Sequence, residues 1–353
     1  MSAIDLQKCP NYASDDEIFN SCNLSGVSDP CHRLTLYHSI YPVGIVFMTV
    51  IPLTLSAISI VITSFLLYLQ IRVYIRVDSS LRKRYIFLIG RALSIILDNI
   101  FIFTFFMISR IGFVDYVTIL TLVTIQEANI FFLGCTYAGL TLLLYIAISR
   151  EIFYKTRLTI RFCIIFIILA WIFSLIVSFV LTMFSMSPYF GSKSLVDCNY
   201  HTCQKPVQYT FAVLIIATYA SVVIFYIGIV IHLKKKRGFN IKSNTNIKAL
   251  QKLRINIISF AVGGIAETLY IIGQLVSSYL ANHILEAKPL ICSLLLNSDS
   301  AIWFEIIQGV ACMLMIMFVM ITDTLLSICL DPNIMEFRKK TVKFWKKTIR
   351  RKT

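Results

Sequence analysis

The stretch VGIVFMTVIPLTLSAISIVITSFLLYLQ, Val43 to Gln70, runs directly into IRVYIRVDSSLRKR, Ile71 to Arg84. The first segment has twenty-eight residues and no Asp, Glu, Lys, Arg or His; the second carries Arg72, Arg76, Arg82, Lys83 and Arg84. A bilayer core needs about 20 apolar residues per helix. An apolar run of that length closed by a cationic cluster reads as a membrane span followed by a loop on the cytoplasmic side.

The same alternation recurs along the chain. Further apolar runs cover Tyr85 to Ile108, Val117 to Ser149, Phe162 to Phe184, Val207 to His232, Ile255 to Leu280 and Ala301 to Leu330. The reading is therefore an all-α membrane protein with seven spans. It divides into an outer N-terminal segment (1–42), a seven-helix bundle (43–330) and a basic inner tail (331–353). Composition agrees: the chain has 353 residues, 58% of them hydrophobic and only 14% charged. Soluble domains carry about 25% charged residues.

The Lys and Arg residues fix the orientation. Twenty-six of the thirty-three lie in the first, third and fifth loops and the tail; six lie in the intervening segments, and Arg91 lies within a span. The expectation is an N-terminus outside, a C-terminus inside and a multi-pass protein of the plasma membrane. The one Asn-x-Ser/Thr sequon, Asn23-Leu24-Ser25, falls on the side assigned as outside, so Asn23 is a glycosylation candidate. The N-terminal segment also holds five acids and no cationic start before an apolar core, so no cleaved signal peptide is expected. A formal charge of +15 could suggest nucleic-acid binding, but clusters parted by seven apolar spans have no common basic face.

Cys9, Cys22, Cys31, Cys198, Cys203 and Cys292 fall on or near the outer side and suit up to three disulfides, with fifteen pairings open. Cys135, Cys163, Cys312 and Cys329 fall within helices or near the inner face and read as packing residues. No HExxH, GxSxG, P-loop or GxGxxG is present, so no enzyme is expected.

Ionisable residues inside the spans cost several kcal/mol unless paired or hydrated. Asp98 is near the middle of the second span and Asp323 in the inner half of the seventh. Two carboxylates brought close in a bundle repel unless a cation or proton lies between them. The expectation is a polar, hydrated spot that rearranges in a switch, with sodium as its candidate ion. The alternative is a static interhelical hydrogen-bonded pair. Arg91 is expected to reach toward the inner interface.

The third span ends Leu140-Thr141-Leu142-Leu143-Leu144-Tyr145-Ile146-Ala147-Ile148-Ser149-Arg150-Glu151, and the fourth contains Ile168-Leu169-Ala170-Trp171-Ile172-Phe173-Ser174-Leu175. With Asp98 after Leu93-Ser94, Asp323 in the last span and Asp331-Pro332 opening a basic segment, this layout resembles rhodopsin-like G-protein-coupled receptors. It is most similar to nematode serpentine chemoreceptors. Ser149 and Glu151 stand where that family has an acid and an aromatic around the arginine, and the last span has Thr324 and Ser327 in place of its Pro and Tyr. The resemblance implies a receptor for a small-molecule or peptide ligand outside and a heterotrimeric G protein inside. Its switch residues would be Arg150, Asp98, Asp323, Ser149 and Glu151. Pocket candidates are Phe131, Phe132, Thr136, Glu267, Tyr270, Gln274, Trp303 and Glu305.

The tail also reads without analogy. Asp331 is a good N-cap and Pro332 a good first helical residue. Ile334, Val342, Trp345 and Ile349 recur at helical spacing among nine Lys and Arg, so an amphipathic eighth helix on the anionic inner leaflet is expected. The rival reading is a channel or transporter, since intramembrane acids also mark ion pathways. No pair of matching broken helices supports it.

Overall fold

The computed structural model describes residues 9–10, 12, 29–111, 115–190, 194–196, 200–236, 261, 265, 268–273, 275–276, 279–280 and 298–337. These are helical apart from short connections. The helices are α1 (Pro30–Ile45), α2 (Ile51–Arg76), α3 (Ser79–Ile111), α4 (Tyr116–Ser149), α5 (Glu151–Thr156), α6 (Ile160–Phe190), α7 (Lys205–Lys236), α8 (Ser298–Leu314) and α9 (Asp323–Leu330). Short π-helical stretches occupy Val46–Val50, Tyr200–Gln204 and Met315–Thr322.

Six helices among the described residues are long and apolar enough to cross a membrane: Ile51–Arg76, Ser79–Ile108, Tyr116–Ser149, Ile160–Ser187, Thr202–His232 and Gly309–Cys329. They match six of the seven expected spans. Most of the expected sixth, Ile255 to Leu280, lies outside the described residues. The first helical run differs from expectation: it starts at Pro30, well before Val43. Asp29 accounts for that start. Its Oδ1 accepts from the His32 amide at 2.9 Å, and Pro30 supplies the fixed φ of a first helical turn.

The chain divides into two compact units. One holds residues 1–55 and 267–316. Within it α1 and the following π turn pack on α8, and Gly309 makes the contact close. A Cβ there would lie 2.8 Å from the Phe47 carbonyl oxygen. A disulfide between Cys9 and Cys31 pins the N-terminal segment to the first turn of α1. Cys203, in the other unit, is also disulfide-bonded. Cys22, Cys198, Cys292 and the sequon at Asn23 lie outside the described residues.

The other unit holds residues 56–266 and 317–353 and is built around α4. Asp115 caps that helix, accepting from the Val117 amide at 3.1 Å and the Thr118 amide at 3.3 Å. It is the most buried of the membrane-length helices, while α6 and α7 keep broad faces for lipid. Small residues let the backbones approach. A Cβ on Gly139 would lie 2.5 Å from the Phe87 ring and 3.0 Å from Phe166. On α6, Ser174, Ser178, Thr182 and Ser185 are buried along one stripe, whereas Ile165, Leu169, Ile172, Ile176 and Phe179 are exposed. This is the division expected in a bilayer, where close van der Waals fit drives helix association.

At one end of this unit Asp331 starts a helical turn over residues 332–337. Its Oδ1 accepts from the Asn333 amide at 2.9 Å and the Ile334 amide at 3.4 Å, which is the expected cap. Residues 338–353, with the expected amphipathic tail helix, lie outside the described residues.

Candidate functional site

The polar residues that a membrane helix must account for gather in the interior of the second unit. α2 contributes Ser59 and Thr63, α3 contributes Arg91, Ser94, Asp98 and Asn99, α4 contributes Asn129 and Tyr137, and α9 contributes Asp323, Thr324 and Ser327. All are buried except Ser327, which is half-buried. Helical spacing puts Arg91, Ser94 and Asp98 on one face of α3, turned inward.

The centre is an ion pair. Arg91 Nη2 lies 3.1 Å from Asp323 Oδ2, with the two side chains 7% and 2% exposed. The same nitrogen donates to Ser327 Oγ at 3.4 Å. The guanidinium stacks over the Tyr137 ring, 4.9 Å from its centroid. Tyr226 of α7 is also close enough to interact with the charge. Arg91 therefore does not reach the interface, as its position in the sequence suggested. An acid from another helix comes within salt-bridge distance first, and pairing costs less than carrying the charge through hydrocarbon.

Hydrogen bonds extend the network. Ser94 Oγ donates to Asn129 Oδ1 at 2.8 Å. Asn99 Nδ2 lies 3.1 Å from Ser59 Oγ and 2.7 Å from the Ile95 carbonyl. Thr324 Oγ1 donates to the Met320 carbonyl at 2.6 Å, which leaves Thr63 to donate across the 3.2 Å to Thr324. Asp98 is buried beside Asn129, and its Oδ1 has no hydrogen-bond partner among the described residues. Asn99 Oδ1 is likewise without one. Asp323 differs, because Arg91 supplies its counter-charge.

Other switch candidates lie at the end of α4. Arg150 breaks the helix with φ −133° and ψ 65°, so α5 starts at Glu151. Ser149 Oγ bonds back to the Tyr145 carbonyl at 2.7 Å, and Glu151 pairs with Lys155 at 2.7 Å on an exposed surface. Arg150 is exposed and makes no ion pair among the described residues. Asp331 anchors a second polar knot. Tyr85 Oη donates to its Oδ1 at 3.0 Å, and Arg84 lies 3.4 Å from its Oδ2.

The pocket candidates divide. Phe131, Phe132 and Thr136 share α4 in the second unit. Phe131 meets Phe211 edge to face at 5.1 Å, and Phe132 is wholly buried against Trp171 at 4.8 Å. Thr136 bonds the Leu133 carbonyl at 2.7 Å. Tyr270 and Trp303 belong to the other unit, the first half-buried and the second exposed. Glu267, Gln274 and the Glu305 side chain lie outside the described residues. An acid not counted as a pocket residue is also engaged near the start of α4: Glu127 Oε2 accepts from Thr182 Oγ1 at 2.8 Å. Glu127 was already legible as an acid near the outer end of its span, whereas Asn99 and Asn129 could have been found by asking of every polar residue inside a span what satisfies it.

No family model matches the chain. Three Caenorhabditis elegans proteins do, each bearing the name "Putative G-protein coupled receptor". B0244.7 is 25% identical over 270 residues, 73% of this chain and 83% of that protein. B0244.5 is 21% identical over 294 residues, covering 80% of this chain and 78% of its own. B0244.4 is 21% identical over 245 residues, or 67% and 78%. The chain is thus a multi-pass helical membrane protein that is similar to nematode serpentine receptors.

Proposed function

We propose that this protein is a G-protein-coupled receptor of chemosensory type, resident in the plasma membrane with its N-terminus outside. The observation that carries the reading is the similarity to three nematode receptors, each spanning two thirds or more of both chains. A small environmental molecule or a peptide binds from outside. Binding favours a second arrangement of the helices through differential contacts, and a heterotrimeric G protein reads the change at the inner ends.

Arg150 is the proposed contact for that G protein. It is exposed at a helix break, where a partner can reach it without unpacking the core. Ser149 and Glu151 flank it, and the Lys- and Arg-rich sequence after α7 and at the start of the tail is proposed to meet the same partner. Asp98 is the proposed internal switch residue, buried with an unsatisfied oxygen beside Asn129. A sodium ion would find its oxygen donors on the Asp98 side of the core. Of the pocket candidates, Phe131 is the one on α4 whose ring meets an aromatic of α7.

The test is second-messenger output of the intact chain in cells with a promiscuous G protein, screened with ligands and read beside membrane current. Arg150→Ala is expected to abolish the response at unchanged surface level, and Asp98→Asn to alter it. A ligand-gated current that survives G-protein blockade would replace the receptor reading with that of a channel.

A further inference from the structure

We infer that the Arg91–Asp323 ion pair is a latch that holds the inner part of α9 against α3, and that signalling requires its release. The inference rests on the receptor reading above but is tested separately from it. Three observations carry it. The pair joins two helices far apart in sequence, and the ring of Tyr137, from α4, lies under the guanidinium, 4.9 Å from its centroid. One cation therefore touches three helices, its own included.

Second, alternative partners lie beside the pair. Ser327 is one turn beyond Asp323 on α9 and already lies 3.4 Å from Arg91 Nη2. Tyr137 offers its ring to Arg91 and its hydroxyl to Asp323. A buried pair pulled apart with nothing to receive its charges would be prohibitively costly. Here the guanidinium can pass to Ser327 and the Tyr137 ring, and the carboxylate to the Tyr137 hydroxyl, so two arrangements are accessible.

Third, Asp323 directly follows the π-helical stretch Met315–Thr322. Thr322 Oγ1 bonds the Met317 carbonyl five residues back, in keeping with the wider turn. A π turn holds a surplus residue relative to an α turn. Returning it to α geometry turns everything after it by about 100°, the angle per residue of an α-helix. That rotation takes Asp323 away from Arg91. The latch and the means of opening it are thus adjacent in the chain.

The experiment compares the full chain with Arg91→Met, Asp323→Asn and the exchange Arg91→Asp with Asp323→Arg. The first readout is agonist-independent second-messenger output per receptor at the cell surface. Both single variants should raise it severalfold, and the exchange should bring it back toward the wild-type level. A pair that only stabilises the fold would lower surface level without raising output per receptor. That outcome overturns the latch, as does a rise in one single variant alone, because a pair is broken equally from either side.

The second readout is hydrogen exchange of the purified chain over α9. The latch requires two populations of that helix, the faster-exchanging one growing in both single variants and shrinking in the exchange. A single population throughout overturns it. If no chain raises a second messenger, the receptor reading fails, and the exchange pattern alone decides the latch.

Discussion

Asp331 shows how much one side chain can hold. It caps the helical turn over 332–337, accepts from Tyr85 Oη at 3.0 Å and faces Arg84 at 3.4 Å. Removing the phenol hydroxyl deletes two hydrogen bonds, to Asp331 and from Asn333 Nδ2 at 3.2 Å, each worth about 0.5–1.5 kcal/mol. Removing the carboxylate deletes the cap and leaves a mostly buried guanidinium unpaired, a loss on the order of 3 kcal/mol. Thermal unfolding of the detergent-solubilised chain should rank Asp331→Ala below Tyr85→Phe; equal losses would refute the account. The capping role was legible in Asp331-Pro332, because a cap acts on its own next few residues. The bond to Tyr85 was not, since nothing local to either residue names the other. Arg91 illustrates the same limit: its charge demanded a partner, and only the packing of α9 supplied one.

Among the elements, α6 separates its two duties by face. Ser178 is buried in the stripe of small residues, while Ile176 is 60% exposed on the side left for lipid. Ser178→Leu should push the helices of its unit apart and sharply reduce the yield of folded chain, scored by size-exclusion profile. Ile176→Ala should stay within about 0.5 kcal/mol of the wild type, as surface substitutions do. If both variants behaved alike, the assignment of faces would be wrong. Spans were the most legible feature of the sequence, because bilayer thickness sets their length independently of contacts. Six described helices follow the expected runs closely at most boundaries. The early start of the first helical run was harder to see: Pro30 and Pro42 in α1 look like breaks, yet one opens the helix and the other is accommodated within it. The candidate pocket was the least legible, since a ring that lines a cavity and one that fills a core have the same chemistry. Phe132, sealed against Trp171, belongs to the core.

For the whole molecule, the uneven distribution of Lys and Arg carries the prediction of orientation. Asn23 should bear a glycan, seen as a mass shift removed by Asn23→Gln. An epitope on the C-terminus should be reached by antibody only after permeabilisation. A wild-type chain that is unglycosylated and displays that epitope on intact cells would reverse the topology. The bridge between Cys9 and Cys31, with a sequence separation of 22, adds roughly 3 kcal/mol in the chain-entropy account of cross-links. It also has a bearing on how the protein is made. Such a bond forms in the secretory lumen and not in the reducing cytosol. A copy threaded through the translocon the wrong way round would keep both sulfurs as thiols facing glutathione. Counting alkylatable cysteines on denatured chains would then sort correctly delivered molecules from inverted ones, with no ligand and no signalling assay.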